Sequence, residues 1–146
     1  MPMSNNIVRA LSLEGHVALS VLRSGQGDAF QVSQLARVVY MSYFLRDVTA
    51  AGSDIEQFRI AETVVEECVT RALNGERWEL KDEDFSAVEH ILLLYDAQLA
   101  AAPAYRFADA WQQFQRVIIK HCQTPIEGSN IDASSISIDA VAALIQ

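Results

Sequence analysis

Two cysteines, three histidines and three prolines are all that 146 residues contain of the types that most often mark a disulfide, a metal centre or a broken backbone. Cys68 and Cys122 belong to no CxxC and stand far apart in helical stretches, so a zinc ribbon or redox dithiol is excluded and both read as small buried hydrophobes. His16, His90 and His121 are preceded at three residues by Leu13, Ala87 and Ile118, which removes the Glu-x-x-His pairs of di-metal helical bundles. With no HExxH either, neither a metal nor a cofactor is expected. The GxG in SGQGD lacks the third glycine of a dinucleotide fingerprint and the GK of a Walker loop. No GxSxG or papain-like stretch supplies a nucleophile, so the chain is not expected to be an enzyme, and no residue is assigned as catalytic.

Basic charge is scarce too. Eleven Lys and Arg against 19 Asp and Glu leave a net charge of −8, which opposes binding to nucleic acid, whose affinity comes largely from neutralised phosphates. Long apolar runs are missing: Ser33, Gln34, Arg37 and Ser42 interrupt the most apolar stretch before it reaches the roughly 18 residues a membrane span needs. The start, MPMSNNIVRALSLEGH, has no apolar core with a small-residue cleavage site, and a cytoplasmic location is expected.

What is present is a globular composition, 51% hydrophobic and 21% charged, in a length that suits one domain. The few Gly and Pro fall mostly between segments of helical periodicity, which predicts an all-α, single-domain bundle of about five helices. Residues 29–51 form its centre: Phe30, Val38, Met41, Leu45 and Val48 share one face, Val32, Leu35, Val39 and Tyr43 the opposite one, and a helix apolar on both sides must be wrapped by others. Phe44 is expected to be buried within it. The first helix is expected to be capped by Ser12 and to bury Leu13, Val17, Val21, Ala18 and Leu22 before Gly25 and Gly27 stop it, and Asp28 caps the central one. Ser53 and Glu56 form a capping box for a third helix, 54–73, with an acidic outer face on which Glu67 and Arg71 stand four apart.

Trp78 and Leu80 are expected to fold back onto the core. Asp82, Glu83 and Asp84 open a fourth helix that runs to about Ala102 and buries Val88, Ile91, Leu92, Tyr95 and Leu99. Asp96, beside Leu92 and Leu99, is expected to bond to a neighbouring helix or an arginine. Pro103 separates this helix from a fifth, 104–122, with Phe107, Trp111, Phe114 and Ile118 on its apolar face. The domain is thus 1–122, and 123–146 is an extended or mobile tail in which Ser137 or Asp139 can cap a short terminal helix.

The stretches LSLEGHVALSVLRSGQG, YMSYFL and YDAQLAAAPAYRFADAWQQF resemble those of short all-helical proteins of beta-proteobacteria and their mobile elements, some of which are labelled Fis-like regulators. That resemblance implies no activity and no functional residue. A Fis-type recognition helix would be basic and C-terminal, whereas the stretch after Cys122 holds Glu127, Asp132 and Asp139 and neither Lys nor Arg.

The outer face of the fifth helix is the single basic stripe: Arg106, Gln113, Arg116 and Lys120. These four are the expected partner-binding residues of a non-enzymatic protein-interaction or regulatory module in a bacterial cytoplasm. The partner is expected to be a protein; the acidic face of the third helix also permits a homo-oligomer by charge complementarity. The alternative is a weak or dimer-dependent DNA-binding regulator, since pairing two such stripes doubles the phosphate contacts.

Overall fold

A computed structural model describes residues 1–120, 124–129 and 131. Five helices build an all-α bundle: α1 Asn5–Arg23, α2 Ala29–Phe44, α3 Ile55–Leu73, α4 Asp82–Ala101 and α5 Ala104–Phe114. The last continues into a π-helical stretch, Gln115–Lys120. Helix α2 packs against all four others, which is why apolar residues recur on both of its sides: Val32, Leu35, Val38, Val39, Tyr40, Met41 and Tyr43 are all buried. Among the described residues no helix is long and apolar enough to cross a membrane, and the sole β-type pairing is an isolated bridge between Pro2 and Pro103.

The cap at Asp28 closes a full box, its carboxylate accepting from the Phe30 N–H at 2.9 Å while Gln31 Oε1 accepts from the Asp28 N–H at 2.8 Å. Two helix starts and one side-chain pairing differ from the sequence expectation. Helix α1 starts at Asn5 instead of after Ser12, and its chain end is held by the Ala104 N–H, which donates to the Met1 carbonyl at 2.7 Å. The α3 cap is Asp54, one residue beyond Ser53, accepting from the Glu56 N–H at 3.1 Å. Arg71 donates to the Glu79 carbonyl at 3.0 Å, so its favoured partner is the following loop and not Glu67. That loop carries Leu80 into the core, with Trp78 packed on the core's edge.

Helix α2 stops seven residues short of Ala51. Arg46 folds back over its end, its guanidinium 4.2 Å above the Tyr43 ring and donating at 2.9 Å to the Tyr43 carbonyl, which also accepts from the Arg46 backbone N–H at 3.2 Å. The chain then turns through a short 3-10 segment, Ala50–Ser53, in which Gly52 lies directly on the backbone of Arg46. A Cβ at residue 52 would stand 2.1 Å from the Arg46 carbonyl oxygen, a contact only backbone movement can relieve. Gly52→Ala is therefore expected to lower stability by about 3 kcal/mol, the upper end of overpacking costs. An unchanged urea midpoint would show that the turn does not need this approach.

Burial also reassigns two faces. Leu13 and Val17 face solvent, as does Phe30, while Gly15, Ala18, Leu19 and Leu22 form the inner side of α1. Gly15 decides this: a Cβ there would be 2.6 Å from Leu92 Cδ2, so its missing side chain lets α4 approach on that side. Along α4, Val88, Ile91, Leu92, Tyr95 and Leu99 are buried as their spacing predicts, Leu94 joins them, and Leu93 is exposed. Gln98 fastens α4 to α2 through a 3.0 Å bond from Nε2 to the Ser42 carbonyl.

Candidate functional site

Pro103 ends one helix and opens the next, since its ring fixes φ and removes a donor that a first turn does not require. Helix α5 therefore starts at a defined point, with Ala110 and Phe114 turned inward and the polar stripe outward. Arg106, Gln113 and Arg116 line one open groove of about 490 Å3 with Tyr43, Phe44, Arg46 and Asp47 from the end of α2, and Pro125 forms part of its wall. Lys120 is exposed and lies outside that lining. From Gln115 onward the wider π winding replaces 3.6 residues per turn, so spacing along a regular helix no longer tells which residues share a face.

Charge in the groove is unevenly spent. Arg106 is paired with Asp47 through Nη2, and Arg46 is held on the Tyr43 ring and carbonyl. Among the described residues Arg116 makes no ion pair or hydrogen bond, and its guanidinium stands at an exposed position. Sequence reading missed Arg46 and Asp47 because both fall inside a stretch with unbroken helical periodicity, where nothing signals the turn.

The wall at Pro125 is set by a buried carboxylate. Glu62 on α3 is 2% exposed and has no cationic partner among the described residues. Instead it accepts from the Tyr40 hydroxyl at 2.7 Å, from Thr124 Oγ1 at 2.6 Å and from Ser129 Oγ. Arg59 adds a bond from Nε to the Glu127 carbonyl at 2.6 Å, and Ile126 is buried in the core. Residues 124–129 are thereby strapped across α3. Residues 132–146, with Ser137 and Asp139, lie outside the described residues, as do His121 and Cys122. Burial and the adjacent Glu62 charge raise the Tyr40 phenol well above its usual range.

A second polar cluster fastens α1 to α4. Asp96 accepts from Ser12 Oγ at 2.6 Å through one carboxylate oxygen and lies 2.7 Å from His16 Nε2 through the other. Ser12 gives its hydroxyl proton to Asp96 and has no bond to His16, so the imidazole is not placed to take a proton from that hydroxyl. Cys68 is buried against the Glu79 carbonyl at 3.5 Å, and burial raises its thiol pKa, which disfavours the nucleophilic thiolate. Among the described residues no three His, Cys, Asp or Glu side chains gather into a group that could hold a metal ion.

Seven of the aromatic residues divide between three places. Tyr40, Tyr43 and Phe114 are core, Phe44 borders the basic groove, and Tyr95, Phe107 and Trp111 surround a separate cavity with Leu11, Arg37 and Met41. No family model matches the chain, and no curated protein or solved structure matches it either.

Proposed function

We propose that the protein is a non-enzymatic interaction module of a bacterial cytoplasm that docks an acidic segment of a protein partner in the groove between the end of α2 and α5. One observation carries this reading: Arg46, Arg106 and Arg116 converge on a single open groove in a chain whose net charge is −8. Guanidinium groups suit carboxylate-rich surfaces because their planar forks bind two oxygens at once. Tyr43 and Phe44 add aromatic surface beside the charges, the combination that anchors many interfaces. Three arginines can neutralise about three phosphates, a small electrostatic gain that the surrounding negative charge erodes, and this favours protein over DNA.

Titration of a fluorescent glutamate-rich peptide and of a DNA duplex at low salt, against the wild type and the Arg106, Arg116 and Lys120 triple-alanine variant, tests the reading. The expected result is peptide binding that weakens about tenfold in the variant and falls with added salt. Micromolar or tighter duplex binding that is lost in the variant would replace it with the DNA-binding alternative.

A further inference from the structure

The cavity between α1, α2, α4 and α5 is chemically unlike the basic groove. Leu11 and Met41 give it aliphatic surface, and Tyr95, Phe107 and Trp111 give it aromatic surface. Its volume is about 220 Å3, more than the roughly 150 Å3 known to admit a benzene ring, which leaves space for one further substituent. Trp111 is held in place by stacking on the buried Phe114, with ring centroids 5.4 Å apart and planes within 12°. That side is therefore a prebuilt wall, suited to a planar guest.

Two polar groups break this apolar lining. Arg37 gives one Nη2 bond to Glu14 and keeps the rest of its fork. Tyr95 is only 4% exposed as a residue, its hydroxyl makes no hydrogen bond among the described residues, and that oxygen is not sealed from solvent. Burial raises its phenol pKa, with Arg37, Glu14 and Asp96 as the charges that act on it, so the group is a neutral O–H donor at physiological pH. Such a hydroxyl can exchange water for a ligand oxygen. Guanidinium and phenol together offer donors to one carboxylate.

We propose that this cavity binds a small aromatic carboxylate of the benzoate class, its ring between Trp111, Phe107 and Met41 and its carboxylate on Tyr95 and Arg37. Glu14, which shares Arg37, then acts as a competitor for the guanidinium. The site is independent of the groove at the other face of α5, and failure of either leaves the other standing.

The test is 19F NMR of 4-fluorobenzoate with the full-length protein, with 4-fluorobenzamide as the uncharged control. Expected is saturable line broadening with a dissociation constant of about 10⁻⁴ to 10⁻³ M, the range for a guest of this size. Tyr95→Phe, which keeps the ring and removes the donor, is expected to weaken it about tenfold. Glu14→Gln, at an exposed position where folding is not at risk, is expected to strengthen it about threefold by freeing Arg37. The amide is expected to bind more weakly than the acid. No broadening up to about 10 mM would overturn the proposal, as would saturable binding with the same affinity in both variants.

Discussion

Phe58→Ala is expected to cost about 3–5 kcal/mol of unfolding free energy, and Phe44→Ala markedly less, about 1–2 kcal/mol. Phe58 on α3 is 0% exposed and meets the Tyr43 ring edge-on, with centroids 5.5 Å apart and planes at 88°. Truncation there removes the transfer energy of a whole ring, leaves a cavity among rigid neighbours and deletes an aromatic pair worth about 0.5–1.5 kcal/mol on its own. Phe44 is only partly buried, at the rim of the basic groove, so solvent can occupy the space its ring leaves. Sequence periodicity counts both as apolar residues of helices and ranks them equally. Urea unfolding of the two variants separates them, and equal losses would return Phe44 to the core and close the groove as described.

The second large effect is expected at Glu62. Glu62→Leu removes the acceptor shared by Tyr40, Thr124 and Ser129 and strands three hydroxyl donors, for a loss of about 2–4 kcal/mol. Adding Tyr40→Phe to that variant is expected to restore part of the loss, because the most buried of the stranded donors is then gone. Amide hydrogen exchange at Ile126 and Ser129 is expected to accelerate in Glu62→Leu, since the strap keeps only Arg59 and the Ile126 side chain. Pro125 would lose its fixed position in the groove wall with it. Unchanged stability and exchange would mean that Arg59 and Ile126 hold the strap without Glu62. The raised Tyr40 pKa gives the same network an alkaline limit: its contribution is complete below the unfolded value of about 10 and is lost as pH rises above it, because the unfolded phenol then releases its proton first. Tyr95, raised in the same direction, adds to that fall. Tyr40→Phe is expected to flatten it.

Much of the bundle was legible in the residues alone, and the reason is local. The helical periodicity of α4, the cap at Asp28, the proline at 103 and the two-sided apolarity of α2 are short-range patterns whose energetics hold in any helical fold. Fold class and the burial of Val88, Ile91, Leu92, Tyr95 and Leu99 follow from them.

Tertiary structure alone decided the rest. Whether Leu13 or Leu19 faces inward depends on where α4 lies, and that depends on Gly15 admitting Leu92, a contact between residues 77 positions apart. The end of α2 depends on Gly52 reaching Arg46, and the groove depends on Arg46 and Asp47 meeting Arg106 across 59 residues. Three hydroxyls converging on Glu62, and a tyrosine and an arginine lining one cavity, are properties of three-dimensional neighbours. Periodicity carries which residues are apolar and how they repeat along one helix. It does not carry the rotation and offset of one helix against another, and those relations bring polar and charged groups together.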